Sequence, residues 1–515
     1  MSTFFSIQSL STHPSEPNPC SPADDQPSWA LSDDSSHGSS ANSGEESILS
    51  VIDGDEQELV LLDKSCLELT GEEESLHGLR TAPLMTRAAF CKVQARTENT
   101  QYGVLGVVTA IQPKTDFKLS DNNRLYLNIN TPFSAIVCGV QGSGKSHTVS
   151  VMLENMLIPD YRAIGVLQNP LCGLVLHFGE GGPTSKPCEA AFVGMSDLPL
   201  LTPRIKVYVS RSSLKTMRDV YSSFGERVVV EPLLLGEGEL DAQSFLSMMA
   251  VSSSEAAPLY VQTILSILRD LGESFTYRRF KVELDSRTFN PMQMSGLKQR
   301  MALLESFMDK DHARQPQAAS RFSSGQLTII DLSDPFVDPA AACGLFEIML
   351  RLFVRADVGT GKVLVVDEAH KYISAQKGSS GLVKSLLSLT RQQRHLGMRV
   401  IVSTQEPTVV HPIVLDLCNV AILHRFSSPT WWTHLEKHVS ADFSDTDAFD
   451  KVVKLKTGEA IVLAPSGLGV VRDGADDGTV NGNTGLREFG RRYLLMKTRR
   501  RVTADGGASV MAMQD

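Results

Sequence analysis

Residues 133–148 read Phe-Ser-Ala-Ile-Val-Cys-Gly-Val-Gln-Gly-Ser-Gly-Lys-Ser-His-Thr, and this run constrains the fold more than any other feature of the chain. The apolar stretch from Ala135 to Cys138 predicts a buried strand, and Val149, Met152, Leu153 and Met156 recur after it at helical spacing. Between the two lie Gly139, Val140, Gln141, Gly142, Ser143, Gly144, Lys145 and Ser146, with His147 following. That order, Gly-x-x-x-x-Gly-Lys-Ser, is the phosphate-binding P-loop. Glycines let the backbone curl so that several N–H groups point inward at phosphate oxygens, at the positive end of the next helix. Lys145 is placed to reach the β- and γ-phosphates, and the Ser146 hydroxyl to sit on Mg²⁺. A chance Gly-rich turn would need neither the strand before it nor the helix after it. The expected ligands are ATP and Mg²⁺.

A chain of 515 residues with 42% hydrophobic content is long enough for one large domain or two to three ordinary ones. Its longest apolar runs are far shorter than a membrane span, so no membrane association is expected. The N-terminus lacks the basic stretch and long apolar core of a secretory signal. Eight cysteines at 20, 66, 91, 138, 172, 188, 343 and 418 form no Cys-x-x-Cys pair, the usage of a reducing compartment. The expectation is a soluble intracellular protein, of cytoplasm or nucleus alike.

The net charge of −10 is unevenly spread. Residues 1–80 hold 16 Asp+Glu against Lys64 and Arg80, whereas the other 435 residues hold 47 Lys+Arg against 43 Asp+Glu. Residues 1–83 are therefore expected to be a disordered, acidic, Ser-rich tail, because such a composition buries too little apolar surface to offset ordering entropy. That tail either solvates the protein or competes with phosphate-bearing ligands for basic surface. Short strands are predicted at 91–95, 103–110 and 125–129, giving a small β region over 84–130. Strands at 174–178, 205–209, 326–332, 363–366, 400–403 and 420–424 alternate with helices at 340–354 and 381–394, which points to a parallel α/β sheet covered on both faces. Helices at 244–249, 259–271 and 291–308 predict a mainly helical insertion, about 210–320, within a domain spanning 131–475.

Two further elements carry chemistry. Lys362-Val-Leu-Val-Val-Asp-Glu-Ala-His is a buried strand ending in two carboxylates at the sheet's ligand edge. Asp367 is the candidate for holding Mg²⁺ through its water shell, and Glu368 for polarising the attacking water. Downstream, Arg391-Gln-Gln-Arg-His-Leu-Gly-Met-Arg-Val-Ile-Val-Ser-Thr-Gln405 puts Gln405 at the end of a strand, where an amide can sense the γ-phosphate. Arg394 lies on the loop before that strand, away from its own nucleotide site, where an arginine serving a neighbouring subunit belongs. The plainer reading of Arg391, Arg394 and Arg399, given less weight, is cations on a solvated helix end.

Taken in order, the P-loop, Gly325-Gln-Leu-Thr-Ile-Ile-Asp-Leu-Ser-Asp, Val-Val-Asp-Glu-Ala-His-Lys-Tyr, the Arg394-to-Gln405 segment and Thr457-Gly-Glu-Ala-Ile-Val-Leu resemble the HerA/FtsK superfamily, the HerA branch more closely. The segment after the P-loop helix, Leu176-His177-Phe178-Gly179-Glu180, keeps that family's Gly-Glu and departs from it ahead of that pair. The resemblance implies a RecA/ASCE-like P-loop ATPase, a homo-hexamer that hydrolyses Mg-ATP at subunit interfaces, with DNA as the translocated polymer and a nuclease or other protein as partner. It also implies an N-terminal β-barrel, for which residues 84–130 leave little room. The alternatives are a nucleotide-gated scaffold and a protein-remodelling ATPase. Asp-Glu-Ala-His alone suggests an RNA helicase, but the Ser-Ala-Thr and Gln-x-x-Gly-Arg-x-Gly-Arg elements of those enzymes are absent. Residues 476–515 form a basic C-terminal segment, with Arg487, Arg491, Arg492, Lys497, Arg499, Arg500 and Arg501 suited either to phosphate contacts or to the wet face of a docked helix. Trp431-Trp432 suits base stacking or, more simply, packing.

Overall fold

The computed structural model describes residues 81–94, 101–113, 122–249, 259–309, 321–373, 381–439, 441–442, 447–472 and 484–507. The acidic tail over 1–80 lies outside them, and so do residues 508–515. Four strands, β4 (Ser134–Cys138), β9 (Gln326–Asp331), β10 (Lys362–Val366) and β11 (Met398–Thr404), are buried at every position. Runs like Ala-Ile-Val-Cys and Val-Leu-Val-Val require this, since side chains alternate between two faces and both are apolar.

The strands join one sheet. In chain order the remaining ones are β1 (Leu84–Thr86), β2 (Tyr102–Gln112), β3 (Arg124–Asn128), β5 (Gly165–Val166), β6 (Cys172–His177), β7 (Arg204–Val209), β8 (Val228–Pro232), β12 (Val420–Leu423), β13 (Glu459–Leu463), β14 (Leu468–Arg472), β15 (Thr484–Glu488) and β16 (Tyr493–Thr498). A parallel half runs β12-β4-β11-β10-β6-β9-β7-β8, and a second half, β15-β14-β1-β3-β2-β16-β13, continues from β12. That second half is antiparallel except for the β1–β14 pair. Within the parallel half, the strand bearing Gln405 lies between the P-loop strand and the strand bearing Asp367. This is the strand order of a RecA/ASCE-like P-loop NTPase, with helices on both faces.

Helix α1 (Arg87–Gln94) precedes β2, and helix α2 (Lys145–Leu157) follows the P-loop. Helix α2 covers one face, where Val149, Met152, Leu153 and Met156 pack with Ala135, Val137, Val175 and Ile401. Helix α3 (Leu214–Val220) adds Met217 to that same core. The other face is covered in part by α4 (Ala242–Met249), α5 (Leu259–Leu271), α6 (Tyr277–Asp285), α7 (Pro291–Ser306), α8 (Pro339–Arg355) and α9 (Gly381–Gln392). Residues of α4 to α9 share a core with Ile136, Leu174, Leu364 and Val402. No helix among the described residues is long and apolar enough to cross a membrane.

Two local expectations are corrected, and a third gains a detail. The strand predicted at 91–95 is part of α1, because Thr86 caps that helix by accepting the Ala89 N–H at 3.3 Å and Ala88-Ala89 favour it. Within the segment expected to be mainly helical, Val228–Pro232 adds an edge strand parallel to β7. The helix considered for the basic C-terminal segment is instead two strands, separated by a turn in which Gly490 takes φ 59°. Strands β1 to β3 do not close on themselves but are stitched to β14 and β16, so the β region and the C-terminal strands form one wing.

The segment after β16 runs along α2. Arg499 pairs with the fully buried Glu154 at 2.6 Å and donates to Asn155 at 2.8 Å, while Glu154 also accepts the backbone N–H groups of Val502 and Thr503. Arg501 pairs with Glu189 at 2.5 Å. Two of the seven basic residues are thus spent inside the fold. Arg499→Ala strands a buried carboxylate and should cost about 3–5 kcal/mol in denaturant unfolding. The exposed neighbour Arg500, changed to Ala, should stay within about 0.5 kcal/mol of the parent.

Candidate active site

Register brings the site together. Thr404 pairs with Cys138, Val366 with Val402 and with Leu176, and His177 with Asp331. The residues that follow or end those strands therefore form one row at the C-terminal edge: the P-loop, Gln405, Asp367-Glu368, His177 and Asp331.

The P-loop glycines have distinct reasons. Gly139 takes φ 149°, and a Cβ there would lie 2.8 Å from both His424 Cβ and Ser143 Oγ. Gly144, at φ 111°, abuts the backbone of Gly458, which a Cβ would meet at 3.0 Å. Gly142, at φ 72°, is exposed and faces open space, so glycine is needed there for its backbone angle and not for room. The loop is fastened on its outer side: Val140 N donates to Arg425 O at 3.0 Å, and Gly458 N donates to Ser143 O at 3.1 Å. Below it, His424 and Thr498 flank Thr148 at 3.0 and 2.9 Å. Burial pushes the His424 imidazole down to about 4, so it sits there neutral.

Lys145 is buried, and its ammonium donates to the Val140 carbonyl at 3.0 Å. It makes no ion pair within 4.0 Å among the described residues. Burial lowers its pKa against the opposing charges of Glu368, Cys138 and Asp367. A buried cation with a carbonyl as its acceptor and an open glycine loop around it fits a phosphate anion.

Glu368 adopts φ 48°, ψ 42°, a left-handed conformation uncommon for a residue with a side chain. That turn aims its carboxylate at Gln405, whose Nε2 donates to Glu368 Oε2 at 2.9 Å. His370 Nε2 lies 3.3 Å from the same oxygen, and burial lowers the His370 pKa despite Glu368. Asp367 Oδ2 is 3.0 Å from His177 Nδ1. Burial would raise the Asp367 carboxyl, yet the hydrogen bond and charge of His177 hold it below the usual carboxylate range. Burial would likewise lower His177, and Cys188, Asp367 and Asp331 together raise it well above the ordinary imidazole value. The Ser146 hydroxyl, half-buried at the start of α2, and the Asp367 carboxylate are hard oxygen donors of the kind Mg²⁺ takes.

Thus Lys145, Glu368, Gln405 and Asp367 converge, and Arg394 does not. It is exposed on the loop between α9 and β11, at the opposite end of the strand from Gln405. Arg399 is buried, donating to the carbonyls of Gly397 and Ile129, and burial lowers it to about 10. Trp431 and Trp432 are half-buried, with Phe426 and Phe449 at 5.9 and 5.8 Å between ring centroids. The sequence marked His177 as a departure from the resembled pattern without showing its partner, and gave no role to His370, His424 or Arg425. His424 and Arg425 directly follow β12, and that position alone could have signalled them.

No protein-family model matches the sequence, and no curated protein does. Among solved structures the chain is similar to VirB4 of Thermoanaerobacter pseudethanolicus, with TM-score 0.39 and 11% identity over 77% of this chain and 96% of that one. It is similar to the bacterial conjugative coupling protein TrwBdeltaN70, with TM-score 0.41 and 10% identity over 79% and 97%. It is also similar to the genome packaging NTPase B204 from Sulfolobus turreted icosahedral virus 2 in complex with AMPPCP, with TM-score 0.29 and 12% identity over 65% and 92%. At such identities and scores, the fold rests on the chain's own strand order and P-loop.

Because the folded state lowers the Lys145 pKa, the ammonium opposes folding at any pH below its unfolded value. Lys145→Met should therefore melt at the same temperature as the parent or higher without nucleotide, and lose the rise in Tm expected of the parent with Mg-ATP. Thermal unfolding with and without Mg-ATP reads both effects.

Proposed function

We propose that this chain is an ATP-hydrolysing motor of the HerA/FtsK kind, working as a homo-hexamer on DNA with a nuclease or another protein as partner. The observation that carries the reading is the Glu368–Gln405 hydrogen bond beside a buried, unpaired Lys145. A protein that only binds nucleotide has no need of a carboxylate held at the strand end by a sensing amide.

In this mechanism the P-loop backbone from Gly139 to Ser146, with His147 opening the helix behind it, receives the phosphates. Lys145 exchanges the Val140 carbonyl for β- and γ-phosphate oxygens. Ser146 and Asp367 hold Mg²⁺, which when bound neutralises charge on the phosphates. Glu368 orients and polarises the attacking water. Gln405 gives up its bond to Glu368 when a γ-phosphate is present and takes it back afterwards. Arg394, remote from its own site, serves the neighbouring subunit's nucleotide.

A second reading, a nucleotide-gated scaffold without mechanical work, is favoured by one observation: His177 holds the Asp367 carboxylate. ATP turnover with and without duplex DNA, measured beside oligomer mass, separates the two. DNA-stimulated turnover in an assembly larger than a monomer supports the motor. ATP binding without turnover under either condition supports the scaffold.

Glu368→Gln should keep ATP affinity while losing about 10²–10⁴-fold in turnover, the usual size of a general-base contribution. Arg394→Ala should also bind ATP almost normally and hydrolyse poorly. Mixing the two variants should restore some turnover, because mixed rings contain interfaces with both residues intact. A strictly additive mixture would place Arg394 outside the neighbour's site.

A further inference from the structure

Three side chains that the proposed reaction does not use as a group meet behind the acidic edge of the sheet. The Cys188 thiol, one ring nitrogen of His177 and one carboxylate oxygen of Asp367 all lie within 4.8 Å of one another. His177 ends β6, Asp367 follows β10, and Cys188 leads into the short turn Glu189–Gly194. Cys188 is fully buried, while the His177 and Asp367 side chains keep 13% and 14% of their exposure, which leaves a narrow way in.

The surroundings hold these groups in place. The Cys188 N–H donates to the Tyr221 hydroxyl at 2.9 Å, and that hydroxyl donates to Asp331 at 2.7 Å. Tyr372 donates its hydroxyl to the Asp367 carbonyl at 3.0 Å. Asp331 is fully buried and stands opposite His177 in the β6–β9 register. Two carboxylates and a thiol thus lie around a single imidazole. A sulfur, a nitrogen and an oxygen donor together suit zinc, whereas magnesium takes oxygen alone.

We propose that His177, Cys188 and Asp367 form a binding site for a borderline-soft divalent cation, with zinc the best chemical match. Three protein donors leave a fourth position for water, on the side from which His177 and Asp367 are reached. The cation displaces the thiol proton and the imidazolium proton of His177 to solvent, so neutral imidazole, thiolate and carboxylate are the donors and the two anions balance its two charges. Zinc seated there also withholds Asp367 from magnesium and so inhibits hydrolysis. That consequence rests on the function proposed above, but the site does not.

Cobalt(II) added to the purified full-length protein tests the site directly. The wild type should take up about one ion per chain in this site and develop a thiolate-to-cobalt charge-transfer band. Cys188→Ser should lose that band, and His177→Gln should weaken binding by roughly 10-fold or more, with thermal melts showing both variants folded. Absence of the band in the wild type, or an equal band in Cys188→Ser, overturns the proposal. Zinc at fixed Mg-ATP should then lower wild-type turnover far more than that of Cys188→Ser, each compared with its own zinc-free rate. If no variant hydrolyses ATP, the proposed function fails while the cobalt band still decides the metal site.

Discussion

Lys145 is a primary ammonium buried at the end of a parallel sheet, with a backbone carbonyl as its hydrogen-bond acceptor. Removing such a charge from water without a carboxylate partner is costly, and burial lowers its pKa accordingly. The rest of the site is arranged around that cost. Register fixes Asp367 and Glu368 two strands away, near enough for their charges to support the ammonium without forming an ion pair with it. The glycine loop curls around the Val140 carbonyl that the ammonium meets. A triphosphate would supply the missing negative charge there.

The second half of the sheet makes this arrangement stiff. Gly458 and His424 press on the P-loop from outside, close enough that Gly144 and Gly139 cannot carry side chains. Thr498 reaches Thr148, and Arg499 reaches Glu154, so helix α2 is gripped by the segment that ends β16. Strands far apart in sequence thus control the geometry of the nucleotide loop. Sheet pairing with β2 extends that control to the β region that precedes the P-loop.

The parallel half of the fold and most of the site were legible because their signals are local. Strand, glycine turn and helix are contiguous at 134–157, and the Asp-Glu and Gln405 elements each end an apolar run. The antiparallel wing was legible only in β2 and β3, expected at 103–110 and 125–129. Tyr493–Thr498 was read as part of a possible helix, because that strand owes its structure to β2, several hundred residues earlier. The same long-range pairing explains why Arg499 and Arg501 read as free cations, since Glu154 and Glu189 that neutralise them lie on a different part of the chain. His177 stood out in the sequence only as a departure from a resembled pattern, because it gains its meaning from Asp367, 190 positions later.

The most direct test of this account is a structure of the chain with Mg²⁺ and a non-hydrolysable ATP analogue. The account predicts phosphates within the Gly139–Ser146 loop, the Lys145 ammonium moved from the Val140 carbonyl onto phosphate oxygens, and Gln405 turned from Glu368 toward the γ-phosphate. A nucleotide bound elsewhere, or Lys145 still donating to Val140 with the analogue in place, would contradict it.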